Sequence, residues 1–270
     1  MQIGGDGVDT ETATPTSGYR ERNSTADRAL DIIGLFSSEK PVWAGAEIAA
    51  QLGVARSTGY RYLQSLVSGG FIEEAAHGYR LGPRIFELAR VARAGLGLSE
   101  VALPVMRTLV DKVGETVLLT RRFGRSVVCV DRVEAPRAVR LSYERGHVLP
   151  INAGAAAEVL LAWADPAEVA ALLTAGPLER FTTKTIIDPE TLRVRLAHIR
   201  KRGIALSQGE LDEHILGVAA PIRDAAGSVC AAVSVAALAA RIPRSQLESV
   251  KSAVRDAATE ISQQLTLVDA

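Results

Sequence analysis

Apolar residues recur at helical spacing three times in the first third of the chain, and polar or glycine-containing stretches separate the three runs. The spacing predicts a first helix that begins at Ser24 or Thr25 and a second helix from Ala46 to Leu52. A third helix is predicted from Ala55 to Ser68, after Gly53, which suits a left-handed turn. The predicted inward-facing residues are Ala29, Leu30, Ile33 and Phe36, then Ile48, Ala49 and Leu52, then Tyr62, Leu63, Leu66 and Val67.

Two short extended segments follow the third helix and predict a β-hairpin. The strands are Phe71–Glu73 and Tyr79–Leu81, with a short polar turn between them. Pro83 then stands where the first turn of a helix tolerates proline, and the apolar spacing predicts a linking helix over residues 83–97. Residues 1–23 combine glycine, threonine, proline and charge without apolar periodicity, so we predict a disordered tail there.

The second half of the chain alternates helical segments with strand-like segments joined by tight turns. The strand-like segments are Glu115–Arg121, Ser126–Arg132, Ile215–Arg223 and Val229–Ala236. The helical segments are Ser99–Val113, Ala153–Trp163, Pro166–Leu173, Pro189–Lys201 and Arg244–Leu267. Helices interleaved with hairpin-connected strands predict an antiparallel sheet that carries helices on its faces.

Length and charge set limits on this picture. A chain of 270 residues favours two modest domains, which we predict at residues 24–82 and 98–268, on either side of the linking helix. The formal net charge is zero, which argues against a protein that coats nucleic acid without sequence preference. A small local basic patch remains compatible with that balance.

The two cysteines and the lengths of the apolar runs indicate the cellular compartment in which the protein is found. Cys129 and Cys230 both lie in apolar, strand-like runs, so we expect buried free thiols and a reducing environment. The first residues lack a basic segment followed by an apolar one, which predicts no signal peptide. Because no apolar run is long enough to span a bilayer, we expect a cytoplasmic protein without a membrane partner.

The order helix, helix, glycine turn, helix, hairpin predicts a winged helix-turn-helix. A helix fits the major groove of DNA, and side chains at its amino end reach the edges of the bases. The candidate DNA-binding residues at that end of the third helix are Arg56, Ser57, Thr58, Tyr60 and Arg61. The serine and threonine hydroxyls can donate to phosphate oxygens, and either arginine can bind guanine or phosphate.

Several of these residues have alternative explanations. Ser57 or Thr58 can instead cap the third helix, and Arg61 can instead form a surface ion pair. Gly59 is unusual inside a helix, where glycine costs about 1 kcal/mol relative to alanine. Two explanations for Gly59 stay open here, a close approach of the backbone to DNA and neutral drift.

The chain resembles the IclR family of bacterial regulators over nearly everything from Ser24 to Val268. The resembling stretches are Arg28–Ile33, Glu47–Ala49, Arg56–Thr58, Arg61–Leu63, Gly70–Ile72, Tyr79–Gly82, Leu149–Ala153, Gly203–Ala205 with Glu210, and Ala219–Ile222 with Gly227. The resemblance implies an α+β protein in which the winged helix-turn-helix is joined by a linker helix to a GAF-like α/β effector-binding domain. It also implies a repressor or activator that binds a palindromic DNA operator as a homodimer or as a dimer of dimers.

The resemblance further implies a pocket for a small-molecule effector, most often an organic acid or an aromatic compound. Carried over by position, the effector-binding residues are Asn152, Ala153, Gly154, Glu210, Gly217 and Ser234. Four positions depart from the family pattern, since Asn152 replaces a common histidine, Gly154 a threonine, Ala157 a glycine and Glu158 a lysine. Gly217 also lacks the polar side chain often found there. These departures imply either a ligand less polar than a simple keto acid or a vestigial pocket.

Enzyme chemistry has one candidate motif, Asp212-Glu213-His214. Adjacent residues of an extended segment point to opposite faces, so the three side chains do not easily converge. The sequence contains no nucleophile elbow, phosphate-binding loop or dinucleotide-binding glycine pattern. We therefore expect no catalytic residues, no cofactor and no metal. Two rivals remain, a small-molecule-binding or enzymatic protein whose winged part does not bind DNA, and a DNA-binding regulator without a ligand.

Overall fold

The computed structural model describes residues 24–94, 97–137 and 143–268. The chain divides by its internal contacts into two compact units, residues 1–91 and 92–270. The predicted tail at residues 1–23 lies outside the described residues. Within the described ranges, no helix combines the length and the apolar character needed to cross a membrane.

The first unit contains helices and a hairpin in the predicted order. Its elements are α1 (Ser24–Gly34), α2 (Gly45–Gln51), α3 (Arg56–Ser68), β1 (Ile72–Ala75), β2 (Gly78–Leu81) and the first part of α4 (Pro83–Ala94). Their inward faces share one core, made of Ile32, Ile48, Leu52, Leu63, Leu66, Ile72 and Tyr79. The predicted left-handed turn after α2 is confirmed, since Gly53 has a φ of +65°.

The predicted inward face of α1 was wrong by one residue. Leu30 is 65% exposed, whereas Ile32 is fully buried. Ala29, Ile33 and Phe36 do pack against the core, as expected. With Ile32 they form the three- and four-residue spacing of one helical stripe, and Leu30 falls outside that stripe.

Trp43 pairs with the hairpin through an isolated β-bridge to Tyr79. Its backbone amide donates to the Tyr79 carbonyl at 3.0 Å, and the Tyr79 amide donates back to the Trp43 carbonyl at 2.8 Å. The Trp43 indole also donates to the carbonyl of Leu35 at 3.0 Å. The loop between α1 and α2 is thereby attached to the wing.

The reason for Gly59 is packing between helices, which is neither of the two explanations left open by the sequence. Gly59 is buried on the face of α3 that meets α2. A Cβ atom at this position would lie 2.9 Å from the Cβ of Ala49 and 3.3 Å from its Cα. Glycine therefore allows α2 and α3 to approach more closely than a larger residue would.

The second unit is a six-stranded antiparallel sheet with helices on both faces. Its strands are β3 (Thr116–Phe123), β4 (Ser126–Val133), β5 (Val148–Leu149), β6 (Ala205–Gln208), β7 (Ile215–Arg223) and β8 (Val229–Leu238). Its helices are α5 (Leu98–Val113), α6 (Ala155–Ala162), α7 (Pro166–Thr174), α8 (Pro189–Arg202) and α9 (Arg244–Val268). The strand order is β5-β4-β3-β8-β7-β6, and the sequence had not predicted the two short edge strands.

Alternate residues of the central strands pack into two separate cores. On β8, Val233 and Val235 belong to the core formed with α5 and α9, whereas Ala232 belongs to the core formed with α6 and α8. The predicted burial of Cys129 is confirmed, and Cys230 is only partly buried. Both faces of the sheet are thus covered, and a site inside this unit lies between the sheet and a helix.

Candidate functional site

The amino end of α3 leaves backbone amides free. Its N-cap residue is Ala55, which has no side chain that can cap the helix. Going along α3, the first backbone amide that donates to a backbone carbonyl of the same helix is that of Gly59, which donates to the Ala55 carbonyl at 3.0 Å. Ser57 and Thr58 lie inside the first turn, so neither is the N-cap. The positive end of the helix is therefore available to an anion.

The candidate DNA-binding residues occupy the outer face of α3. Arg56, Ser57 and Arg61 are exposed, while Gly59, Leu63 and Leu66 are buried on the opposite side. Thr58 is half-buried, and Tyr60 is 45% exposed. The Tyr60 ring also rests on α2, because a Cβ atom on Gly45 would lie 3.1 Å from the tyrosine hydroxyl.

The two arginines on α3 differ from the other basic residues described in the first unit. Arg56 and Arg61 form no ion pair with another described residue, and α3 contains no acidic residue. Elsewhere in this unit, Arg28, Lys40, Arg80 and Arg84 pair with Asp31, Glu47, Glu73 and Glu87. Among the arginine and lysine side chains that the structure describes in this unit, the two unpaired ones thus both lie on the exposed face of α3.

The second unit contains a half-open cavity of about 50 Å³ between the sheet and the start of α6. Its walls are Leu118, Tyr143, Leu149, Ala153, Gly154, Ala155, Ala156, Ala157, Ser207, Leu211, Ile215, Gly217, Ser234, Val235 and Ala236. Most of these side chains are apolar. The polar groups therefore decide how a ligand would be oriented.

Two serines and a tyrosine supply the hydroxyl groups of the cavity. Ser234 is only 4% exposed, and its hydroxyl makes no hydrogen bond to another described residue. The Ser207 hydroxyl accepts a hydrogen bond from the Ala155 amide at 3.1 Å and keeps its own proton for donation. Burial, and secondarily the nearby Asp212, raise the pKa of Tyr143, which keeps that hydroxyl protonated.

The structure brings four of the six predicted effector-binding residues to this cavity. Ala153, Gly154, Gly217 and Ser234 line it. Asn152 does not, because its side-chain amide donates to the Glu179 carbonyl at 2.9 Å and is thereby satisfied elsewhere.

The Glu210 side chain is also absent from the cavity wall among the described residues, although Leu211 follows it there. Tyr143 and Ser207 line the cavity and were missed from the sequence. Ser207 follows Ala205 by two residues on a strand too short to reveal its alternation.

Glycine at position 217 has a steric reason. A Cβ atom there would lie 3.0 Å from the Ser207 hydroxyl oxygen and 3.3 Å from the Ala155 Cβ. A larger side chain would therefore fill the space between β7 and α6. The departure noted in the sequence at Gly217 keeps the cavity open.

A buried charged cluster lies behind the cavity. Glu158 on α6 is 1% exposed, and its carboxylate is 3.1 Å from the Arg195 guanidinium. The same guanidinium is 3.6 Å from the Glu210 carboxylate and donates to the Leu206 carbonyl. Burial raises the pKa of Glu158 to about 8; Glu210 adds to this rise and Arg195 opposes it. Glu210 therefore belongs to this cluster.

The one motif that suggested enzyme chemistry is placed on the surface. Asp212, Glu213 and His214 are all exposed, and the Asp212 carboxylate accepts the His214 backbone amide at 2.9 Å. Among the residues that the structure describes, no cluster of three or more His, Cys, Asp or Glu side chains could hold a metal ion.

Comparison with known families gives matches to both units. The IclR helix-turn-helix domain matches residues 25–76, and the family described as bacterial transcriptional regulator IclR C-terminal matches residues 92–263. The second match alone covers more than half of the chain.

Individual relatives agree with these matches. The HTH-type transcriptional regulator BhcR of Paracoccus denitrificans is 34% identical over 238 residues, which cover 87% of this chain and 85% of that protein. A crystal structure of an IclR homolog from Microbacterium hydrocarbonoxydans in complex with 4-hydroxybenzoate has a TM-score of 0.77 at 28% identity, covering 89% of this chain and 98% of that one. The crystal structure of an IclR transcriptional regulator from Alicyclobacillus acidocaldarius has a TM-score of 0.78 at 25% identity, and the match covers 90% of this chain and 98% of that one.

Proposed function

This chain belongs to the IclR family of bacterial transcriptional regulators, and on that premise we propose that α3 reads its operator while the cavity of the second unit binds a small organic effector. The observation that carries the first part is the pair of unpaired arginines at the free amino end of α3. A positive helix end with hydroxyls and two cations suits phosphates and guanine edges.

Each residue of α3 then has a distinct role. The free amides and the Ser57 and Thr58 hydroxyls contact phosphate and set the position of the helix. Arg61 lies one turn further along the exposed face and reaches base edges. Tyr60 packs against Gly45 and so supports the α2–α3 angle.

Replacing Arg61 by alanine is expected to weaken binding to the specific operator by about 1–3 kcal/mol, with a smaller loss on random duplex. Replacing Arg56 by alanine is expected to weaken both complexes alike and to reduce the salt dependence, as for a phosphate contact. Fluorescence anisotropy at several salt concentrations measures both effects, on an operator selected from random duplexes with the full-length protein.

Arg80→Ala is the matched control, because Arg80 is exposed on the wing but already held by Glu73 at 2.6 Å. It is expected to change operator affinity less than Arg61→Ala does. Equal losses in the two variants would show that α3 does not read bases through Arg61.

For the second part of the proposal, the support is a small, half-open cavity with few polar groups, in a chain similar to an IclR homolog solved in complex with 4-hydroxybenzoate. Effector binding favours one arrangement of the oligomer and so changes operator affinity. A coupling of about 1–3 kcal/mol changes occupancy from several-fold to about a hundredfold. Operator affinity measured with and without candidate ligands tests this part, and unchanged affinity over a broad panel would favour a regulator with a vestigial pocket.

We also propose that the chain acts as a homodimer through α4, which exposes large apolar side chains. Phe86, Leu88 and Val91 on that helix are 74%, 41% and 58% exposed. Exposed large apolar side chains on one helix, among them an aromatic one, are typical of a protein interface. Two copies of α3 held by one dimer can bind the two halves of a palindrome.

Replacing Phe86 by serine is expected to raise the dissociation constant of the dimer by about tenfold or more, because an aromatic anchor is lost. Sedimentation velocity over a range of concentrations measures this change. Val194→Ser is the control, since Val194 is also a surface aliphatic residue, 57% exposed on α8. An unchanged dimer in the Phe86 variant would place the interface elsewhere.

A further inference from the structure

We propose that a basic groove on the second unit binds a small molecule that carries two or more phosphate groups. The groove lies along β7, between the carboxyl end of α8 and the side of α9, and has a volume of about 460 Å³. None of its described lining residues also lines the cavity at the start of α6. The inference therefore concerns a second site, beyond the proposed operator and effector sites.

The groove forms where β7 extends beyond the neighbouring strand β6. The pairing of the two strands ends with Ala205 opposite Ala219, and β7 continues to Arg223. Pro221 has no amide to donate on this edge, and the Arg223 amide already donates to the Ser262 hydroxyl at 2.9 Å. A further β-strand is therefore disfavoured here, and an occupant would be held by side chains.

Five basic side chains from three different elements line this groove. They are Arg200, Lys201 and Arg202 at the end of α8, Arg223 on β7 and Arg255 on α9. No described residue that lines the groove is acidic, and none of the five basic side chains forms an ion pair with a described residue. Because like charges that share one groove repel each other, a bound anion would relieve that repulsion.

The end of α8 accounts for only part of this charge. Basic residues in the last turn of a helix stabilise its negative end, which explains the three on α8. Arg223 and Arg255 belong to other elements and have no such role. In the adjoining pocket, the one described acidic residue is Glu248, whose carboxylate already pairs with Lys251 at 2.7 Å. The groove thus has more positive charge than its surroundings balance.

The Arg223 side chain is already oriented for binding. It is half-buried, its guanidinium donates to the Gly227 carbonyl at 2.8 Å, and it lies 5.5 Å from the centre of the Trp163 ring. A guanidinium has five N–H donors, so donors remain for a ligand oxygen. Since the side chain loses little freedom on binding, we assign Arg223 as the anchor of the site.

The charge and the volume of the groove favour phosphate groups. A phosphate monoester carries about −1.5 to −2 charges at pH 7 and presents three acceptor oxygens, which arginine can bind in pairs. A volume of about 460 Å³ lies within the roughly 300–1,000 Å³ of small-molecule pockets. Thr259, Gln263 and the Trp163 ring line the same groove and suit a sugar or an aromatic base. A nucleoside polyphosphate combines all of these groups.

Four probes test the inference by isothermal titration calorimetry on the full-length protein at moderate salt. They are inorganic pyrophosphate, ATP, AMP and citrate, the last of which carries several carboxylates but no phosphate. Pyrophosphate and ATP are expected to bind at least about tenfold more tightly than citrate, because phosphate oxygens match the arginine geometry. ATP is expected to bind at least about tenfold more tightly than AMP, because it engages more of the cations.

Two variants place the binding in the groove. Arg223→Gln and Arg255→Gln are each expected to weaken ATP binding about tenfold or more. Arg255 is exposed on α9, so its replacement keeps the test valid even if the half-buried Arg223 is needed for folding. Arg244→Gln is the matched control, since Arg244 is exposed on the same helix but does not line the groove. It is expected to leave ATP binding unchanged.

Three results would overturn the inference. Equal binding of citrate and pyrophosphate would show a general anion effect, and equal affinity for ATP in wild type and both groove variants would place the site elsewhere. If Arg255→Gln instead weakens binding to random duplex while neither ATP nor pyrophosphate binds, the groove contacts the DNA backbone. Arg61→Ala is expected to leave ATP binding unchanged, so failure of the groove inference is distinguishable from failure of operator reading by α3.

Discussion

Replacing Gly78 by alanine is expected to lower the free energy of unfolding of the first unit by about 3 kcal/mol or more and to abolish operator binding. Gly78 has a φ of +147°, a backbone conformation that side chains disfavour. An added Cβ atom would also lie 2.2 Å from the Trp43 carbonyl oxygen, which accepts the Tyr79 amide. The wing therefore cannot keep its contact with the loop before α2. Urea unfolding and operator anisotropy measure the two effects.

Gly53→Ala separates backbone strain from steric conflict. Gly53 also has a positive φ, +65°, but an added Cβ atom meets nothing within 4 Å. We expect a loss of about 1 kcal/mol and retained operator binding, because only the left-handed conformation is penalised. If Gly78→Ala is no worse than Gly53→Ala, the close approach of the wing to Trp43 does not hold the first unit together.

Replacing Glu158 by glutamine is expected to increase the free energy of unfolding by about 2–4 kcal/mol at pH 8 and above, with little change at pH 4.5. Burial raises the pKa of Glu158 from 4.5 in the unfolded chain to about 8 in the folded chain. The folded state therefore holds a proton that the unfolded state has lost. Its stabilising effect is complete below pH 4.5 and is lost as the pH rises towards 8.

Urea unfolding of the wild type and the variant from pH 4.5 to pH 9 measures this difference, which isolates the contribution of Glu158 from other titrating groups. Glutamine has nearly the same size and keeps one oxygen that can accept from Arg195. The control is Glu190→Gln on α8, whose carboxylate is 72% exposed and whose ion pair contributes little. A difference between Glu158→Gln and wild type that does not vary with pH would show that folding does not raise the pKa of Glu158.

The elements whose apolar residues follow a helical or strand period were predictable from the sequence. β7 was expected at Ile215–Arg223 and has those bounds, because its strand character and the Asp224–Gly227 turn are both local. The order of α1, α2, α3 and the hairpin was likewise predictable from apolar spacing. The edge strands β5 and β6, of two and four residues, were missed because so short a segment cannot display a period.

The candidate site was predictable only in part. Family resemblance placed Gly154, Gly217 and Ser234 in the effector region, and all three line the cavity. It also suggested Asn152 and Glu210, whose side chains bind the Glu179 carbonyl and Arg195 instead. Buried polar groups take the nearest partner that the packed chain offers, and residues distant in the sequence supply that partner.

The sequence by itself determined the elements, their order and the family, since helical and strand periodicity, caps and turns depend on residues only a few positions apart. Three contacts were decided by the tertiary structure alone. Gly59 leaves room for Ala49, and Gly78 lies against Trp43. Glu158 and Glu210 both pair with Arg195. These contacts join residues that are ten to more than fifty positions apart in the numbering. Their energies depend on how whole helices and strands pack, so no local pattern of residue types reveals them.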